Sequence, residues 1–485
     1  MNQNRMPVVE ALKKHAMSGS VSMHVPGHKN GSVFHSGSRE IFSGVLSIDL
    51  TEISGMDDLH CPEGIIRDAE MLAAGLYGTK MTSFLVGGST AGNLAAILGT
   101  VKEGDCVLVQ RNSHQSVIHG LEMAGAAPVL LEPEQSENRT YGVSVNTVRE
   151  AVAAWPQARA LLLTSPTYEG YVQDLTDHIA AAHEAGIPVI VDEAHGAHLI
   201  IEEQGWPLTA LRAGADAVVQ SAHKMLPAMT MSSLLHMQGE RLDHEKIRKY
   251  LRMIQSSSPS YPLMASLDSA RAYLASYTPE EGRAMLEWSR EFRSLLNRIP
   301  QISCAPSVIN NYIQDPLKIV VESMCRASGS ELQKAFAEEG IIPELAGPSH
   351  VLFTLPLAKE KPDFKGVAEA VQRACSQYNA AAYKNGPERY EPSFSGGGER
   401  IIPLAMTYRE MASYSAEKVP YTKAAGKIAA EDVVPYPPGI PLLVKGERIT
   451  AERVGKLSEL VSTGASFQSG GAFKTEGISV FQHLP

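Results

Sequence analysis

The stretch VVQSAHKMLPAMTMSS, residues 218–233, decides the fold. It begins as an apolar strand and sets Ser221, His223 and Lys224 at or just past the strand's end. Burying an ammonium is costly, so a lysine at the carboxyl end of a central strand is often one whose pKa is lowered for Schiff-base chemistry. On this segment alone, a lysine snorkelling from a loop carries equal weight. Outward from it, from about residue 75 to 240, short apolar runs alternate with helix-like segments, the pattern of a parallel sheet covered by helices. CVLVQ (106–110), APVLL (127–131), ALLLT (160–164), PVIVD (188–192), AVVQS (217–221) and SSLLHM (232–237) read as strands. Stretches near 147–155 and 174–185 read as helices, the second stopping at Gly186.

The flanks read differently. Residues 1–60 lack the rhythm and are expected to wrap or bridge. ASLDSARAYLASY (265–277) and PEEGRAMLEWSREFRSLLNRI (279–299) read as connecting helices. A second α/β unit follows, with LKIVVES (317–323) and HVLFTLPL (350–357) as strands and ELQKAFAEEG (331–340) and VAEAVQRACSQY (367–378) as helices. SGGGER (395–400) is a Gly-rich break, and PYPPGIP (435–441) is too proline-dense for anything but loop or extended chain. The expected organisation is a bridging segment over 1–60, a large domain over 61–275, and connecting helices with a C-terminal α/β domain over 276–485.

Composition bounds the function. The 485 residues are 44% hydrophobic and 20% charged, enough for roughly two to four domains with an ample core. Lys+Arg number 43 against 53 Asp+Glu, a net charge of −10, which argues against a broadly basic nucleic-acid surface. The five cysteines, Cys61, Cys106, Cys304, Cys325 and Cys375, are scattered and form no C-x-x-C pair. They suit a reducing compartment. No apolar run of about 18 residues and no signal-like start is present, so a soluble cytoplasmic protein without membrane or nucleic-acid partners is expected.

Three further segments carry chemistry. PVIVDEAHGAH (188–198) puts Asp192 at the end of a buried strand, where a carboxylate needs a cationic partner. A protonated pyridine ring is such a partner, and an Asp beside it maintains the electron sink of pyridoxal phosphate. An Asp capping the following turn is the plainer alternative. FLVGGSTAGNLAAILGTV (84–101) places Gly87, Gly88, Ser89 and Thr90 at the start of a helical run, where backbone N–H groups and hydroxyls suit a phosphate. A Ser/Thr N-cap explains the same residues. In QRNSHQSVIHG (110–120), His114 follows a strand and is a candidate to lie flat on a cofactor ring. His195 and His198, and His24 and His28, are spaced like metal ligands, but neither pair is H-E-x-x-H and no metal is expected. No G-x-S-x-G elbow supports a serine hydrolase.

With these residues in view, the sequence resembles the ornithine/lysine/arginine decarboxylase family, fold-type I pyridoxal-phosphate enzymes, in the short form found in Gram-positive bacteria. The likeness spans almost the whole chain, through SMHVPGHKNG (22–31), LSIDLTEISGMDDLHCPEG (46–64), SPTYEG (165–170), QSAHK (220–224), QSSSPSYPLMASLD (255–268) and PYPPGIPLLVKGE (435–447). The resemblance implies an aspartate-aminotransferase-like large domain with a mostly parallel sheet, a smaller C-terminal α/β domain, and pyridoxal 5'-phosphate as cofactor. It implies that Lys224 bonds the cofactor as a Schiff base, Asp192 pairs with the pyridine nitrogen, and His114 and Ala194 flank the ring. Gly88, Ser89, Thr90 and Ser221 would hold the phosphate, with Ser257 contributed from a neighbouring subunit, and His195 would border the cofactor. His223 would act as phosphate donor or as the acid at Cα. The long relatives' N-terminal wing is not matched, which leaves a homodimer as the minimal expectation.

The resemblance further implies decarboxylation of a basic L-amino acid, with lysine ahead of arginine and ornithine. A carboxylate should meet the distal cation, and Glu52, Asp57, Asp58, Glu63 and Glu344 are the candidates. An aminotransferase or β-eliminating lyase, or a silent cofactor-binding protein, would share the Asp/Lys pair. The first two are distinguished by a keto acid or ammonia as product.

Overall fold

The computed structural model describes residues 1–136, 139–201, 203–379, 399–436, 439–462, 464–468 and 471–482. Its main sheet has eight strands: β1 (Met81–Leu85), β2 (Cys106–Gln110), β3 (Ala127–Leu131), β4 (Ala160–Thr164), β5 (Val189–Asp192), β6 (Ala217–Gln220), β7 (Ser233–Met237) and β8 (Ile401–Pro403). Their order is β1-β7-β6-β5-β4-β2-β3-β8. The five strands from β6 to β3 run parallel, and β7 lies antiparallel between β6 and β1. The near-continuous apolar runs are strands covered on both faces. Successive side chains point to opposite faces, so Leu108, Leu161, Leu163 and Val218 enter one core while Val107, Val109, Leu162 and Val219 enter the other.

All six strands expected over 106–237 form within a residue of their expected bounds. The added edge strand β1 lies in the segment that leads into GGST. Helix α1 (Gly88–Thr100) follows it and packs tightly on the sheet. A Cβ built on Gly92 would come 2.7 Å from Leu85 Cδ1 and 2.8 Å from Val219 Cγ1, so only glycine permits this approach. The first turn of α1 thereby sits beside the carboxyl end of β6.

Outside the sheet, helix Pro7–Ala16 is tied to helix Tyr261–Ala275 by Val8 N–H donating to Asp268 Oδ2 at 3.0 Å. The helices of 265–299 form as Tyr261–Ala275 and Pro279–Leu296. A second, antiparallel sheet takes strands Ile302–Cys304, Lys318–Ser323, His350–Thr354 and Leu345–Ala346 in that order. Helices Gly329–Glu338 and Phe364–Cys375 complete this α/β unit. The final residues return to pair β8 with β3, then build a separate core from Val433, Leu443, Leu457, Phe467, Ile478 and Val480. Residues 395–398 of SGGGER and Pro437 and Pro438 of PYPPGIP lie outside the described residues. Among the described residues, no helix is long and apolar enough to cross a membrane.

Candidate active site

The carboxyl ends of the parallel strands are where open α/β sheets bind ligands, and the expected site residues converge there. Asp192 ends β5, paired in register with Thr164 of β4 and Val219 of β6. Ser221 leaves β6 and precedes the short helix α3 (Ala222–Met225), which carries His223 and Lys224; helix α2 (Gln115–Ala124) follows β2 and His114.

Asp192 is 5% exposed. Its Oδ2 accepts from Asn93 Nδ2 at 2.9 Å and its Oδ1 from Ala194 N–H at 3.1 Å. The turn-capping alternative is therefore realised, and it coexists with a second, fixed carboxylate oxygen. Asn93 also donates to Ser116 Oγ at 2.9 Å, and Ser116 Oγ lies 2.9 Å from His114 Nδ1. His114 is the N-cap of α2: Ser116 N–H donates to Nδ1 at 3.2 Å, which leaves the ring proton on Nε2. Burial lowers the His114 pKa, with Asp192 opposing and Lys224 reinforcing the shift. The imidazole is neutral at pH 7.

Lys224 Nζ stands 3.2 Å from His195 Nε2. Burial lowers the lysine's pKa, opposed by Asp192 and Glu344. His195 falls well below the ordinary histidine range, first through burial and then through Lys224 and Lys318. Its ring meets Tyr168 edge-on, centroids 4.8 Å apart, and Tyr168 donates to Glu344 Oε1 at 2.6 Å. Burial raises the Tyr168 pKa, with Glu344 adding to the shift, so the phenol keeps its proton. His223 donates from Nδ1 to Ser232 O at 3.0 Å, leaving Nε2 as an acceptor, and burial lowers its pKa.

The phosphate candidates divide. Ser221 Oγ is fully buried and has no hydrogen-bond partner among the described residues, as is true of Ser165 Oγ, also at a strand end. Buried hydroxyls are rarely left unpaired, and two at the mouth of the parallel strands fit an oxygen-rich ligand. The N-cap of α1 is Gly87, without a side-chain cap, so Ser89 and Thr90 are not capping residues; they occupy the first turn, where the Gly88 N–H already donates to Met231 O at 3.0 Å. Gly88 opens that helix at φ +74°. Ser257 lies on an exposed turn and makes no side-chain hydrogen bond among the described residues.

Of the five acidic candidates, Glu344 alone is joined to the Lys224 group by contacts in this chain. Asp57 is corrected to a structural role. Its Oδ2 accepts from Gly64 and Ile66 N–H at 2.8 and 2.9 Å, and its Oδ1 from Glu63 N–H at 3.0 Å, which caps helix Ile65–Tyr77. Asp58 Oδ1 accepts from His60 N–H at 2.8 Å. The histidine pairs part company too: His198 binds Asp315 at 3.0 Å, away from His195, and His28 binds Asp49 at 3.1 Å. Among the described residues, no three His, Cys, Asp or Glu converge as a metal set.

Sequence reading missed Asn93, Ser165, Tyr168 and Lys318. Asn93 did leave a trace, as a lone amide on the apolar helix STAGNLAAIL. Lys318 is 1% exposed, donates to Thr354 Oγ1 at 2.9 Å and lies 5.9 Å from the Tyr168 ring centroid. It reads as an ordinary strand-start lysine in LKIVVES, so nothing local marks it.

A twisted parallel sheet with lysine and aspartate at adjacent strand ends defines the fold-type I class of pyridoxal-phosphate enzymes. The Orn/Lys/Arg decarboxylase major-domain model matches residues 6–323 and the corresponding C-terminal-domain model matches 393–476, so the chain belongs to the Orn/Lys/Arg decarboxylase family. It is a decarboxylase. It is 42% identical over 483 residues to the uncharacterized protein YaaO of Bacillus subtilis, covering 98% of each chain. It is 32% identical over 481 residues to an arginine decarboxylase of the same organism, covering 96% of each. Among solved structures it resembles the lysine decarboxylase LdcF of Francisella novicida, at a TM-score of 0.79 and 19% identity, covering 99% of this chain and 81% of that one.

Proposed function

We propose that the protein decarboxylates a basic L-amino acid with pyridoxal 5'-phosphate, releasing carbon dioxide and the corresponding amine. The carrying observation is the juxtaposition of a half-buried lysine with a lowered pKa, Asp192 on the neighbouring strand end, and the orphaned Ser221 hydroxyl. When bound, the cofactor supplies an electron sink for the pair left by the departing carboxylate.

The chain's own groups do the rest. Ser221 Oγ and the N–H groups of Ser89 and Thr90 hold the phosphate, while the Gly88 N–H is committed to Met231 O at 3.0 Å. Asp192, fixed by Asn93 and Ala194, accepts from the pyridine N–H and keeps that proton in place. Neutral His114 and Ala194 flank the ring. Lys224 attaches the cofactor through Nζ, and its lowered pKa increases the neutral, nucleophilic fraction. On displacement by the substrate's ammonium group, Nζ would take up the protons that group gives up and, as the ammonium, would be placed to return one at Cα, with His195 Nε2 at 3.2 Å as its hydrogen-bond acceptor. His223 is less suited to that role: its Nδ1 proton is committed to Ser232 O, and donating from Nε2 would require the imidazolium that burial disfavours.

Glu344, held by the Tyr168 hydroxyl, receives the substrate's distal cation. The motifs alone lean to lysine; full-length similarity to an arginine decarboxylase moves arginine ahead, and a guanidinium suits a bidentate carboxylate. The minimal assembly is a homodimer in the cytoplasm. Met23, Ile41 and Phe42 are 88%, 78% and 45% exposed in one chain, apolar side chains suited to cover by a second copy.

The test is carbon dioxide release from arginine, lysine and ornithine by purified protein with added cofactor, with keto acid and ammonia measured in parallel. Amine and carbon dioxide in equal amounts support the reading, and a keto acid without carbon dioxide overturns it. Borohydride reduction followed by peptide mass analysis should find the cofactor on Lys224, and Lys224→Ala should lose both the adduct and turnover by orders of magnitude.

A further inference from the structure

The C-terminal unit reaches into the candidate site at Gly439. Gly439 O accepts from Gln115 N–H at 3.1 Å, satisfying one of the unpaired donors in the first turn of the helix that His114 caps. Gly439 is at φ +87°, and a Cβ there would lie 3.2 Å from His114 Nε2 and 3.4 Å from Cδ2. The glycine backbone therefore abuts the edge of the imidazole.

The segment is held down by a buried clasp three residues before His114. Arg111, 3% exposed, donates from Nη1 to Pro441 O at 2.7 Å and from Nη2 to Leu442 O at 2.8 Å. The same guanidinium contacts both Glu447 oxygens, Nε to Oε1 at 3.2 Å and Nη2 to Oε2 at 2.8 Å. Arg453 closes the far side of Glu447 at 2.8 Å and reaches Glu132 at 2.6 Å. Arg111 thus fills a planar, bidentate seat that a lysine cannot reproduce. Its backbone N–H also bonds Leu131 O at 2.9 Å, which fixes the clasp to the sheet.

We infer that Gly439–Leu442, clasped by Arg111, is a positioning element that fixes the His114 ring against the cofactor, so that the C-terminal unit completes the active site. This rests on the reading that His114 flanks pyridoxal phosphate. Arg111 and Gly439 are positioning residues: they act through His114. Neither the PYPPGIP motif nor Arg111 draws notice in the sequence as part of the chemistry, because 325 residues separate His114 from Gly439.

The test uses the full-length protein with pyridoxal phosphate. Gly439→Ala adds a methyl against the ring in a strained backbone region, and Arg111→Lys keeps the charge while losing the fork. The expected result is a changed circular dichroism in the absorption band of the bound cofactor in both variants. Turnover should fall by about 100-fold, the scale of a misplacement of about 1 Å, at nearly unchanged KM. Wild-type dichroism and turnover in folded Gly439→Ala and Arg111→Lys would overturn the inference; if Gly439→Ala does not fold, Arg111→Lys decides. A wild type that binds cofactor but decarboxylates no basic amino acid defeats the proposed function only, and the dichroism comparison still stands. A wild type that takes up no cofactor overturns both.

Discussion

Asn93 orients Asp192, and the size of that effect can be worked out before any cofactor is added. Its Nδ2 group donates at 2.9 Å to both Asp192 Oδ2 and Ser116 Oγ, and Asn93 is 2% exposed. A hydrogen bond to a charged acceptor contributes about 1.5–3 kcal/mol and a neutral one about 1 kcal/mol. Asn93→Ala should therefore destabilise the apoprotein by about 2.5–4 kcal/mol. At roughly 2.1 cal/mol/K of unfolding entropy per residue, a chain of 485 residues melts only about 2.5–4 °C lower for that loss. Urea unfolding at fixed pH is the better assay.

A double-mutant cycle isolates the bond that matters. Asn93→Ala and Asp192→Ala measured singly and together should show a coupling of about 1.5–3 kcal/mol, the charged bond alone. Ser116→Ala in the Asn93→Ala background should add only the loss of its 2.9 Å contact to His114 Nδ1, about 1 kcal/mol. If the Asn93/Asp192 cycle is additive to within about 0.5 kcal/mol, the carboxylate is not held by this amide and its claimed orientation fails. Loss of orientation should also lower turnover, because the charge Asp192 presents is useful only where the pyridine N–H sits.

Other groups yield further tests. Glu344→Gln keeps the shape and the Tyr168 contact but removes the charge; KM for arginine and lysine should rise about 10–100-fold with a smaller change in kcat, as loss of uniform binding requires. Asp57→Ala is the control: it should cost about 1–2 kcal/mol of stability through the lost cap without that KM signature, and the reverse pattern would reassign the distal site. Lys318 is pushed down to about 8 by burial, against the pull of Asp315 and Glu344, from 10.5 in the open chain. Between those values the unfolded chain binds more protons than the folded one, so stability should rise with pH by at most about 3 kcal/mol across that window. Urea midpoints from pH 8 to 10 should show the rise in wild type and its loss in Lys318→Met; parallel slopes would refute it.

What was legible in the sequence follows a physical division. Strands buried on both faces announce themselves as apolar runs, since each residue must be apolar whichever face it meets; β2 to β7 read correctly for that reason. The polar residues at their ends stand out where one interrupts or follows such a run, as Asp192 and Lys224 do. It failed where a group's role depends on a distant partner. Asp57 was indistinguishable from its acidic neighbours because its donors, the N–H groups of residues 63–66, carry no side-chain signature. Lys318 and Tyr168 come together with His195 only when the second sheet docks on the first, and Gly439 meets His114 only when the chain's end returns. The same division separates the roles within the site. In the proposed function, the legible residues are those assigned to grip or attach the cofactor from the parallel sheet, while those supplied by the second sheet and the C-terminal unit are assigned orientation, proton state and the distal charge. Differences in substrate between relatives should therefore concentrate at positions such as Glu344 and Tyr168, outside the strand ends. Exchanging those residues should change the arginine-to-lysine ratio of kcat/KM, whereas exchanging Ser221 or Asp192 should lower both values together.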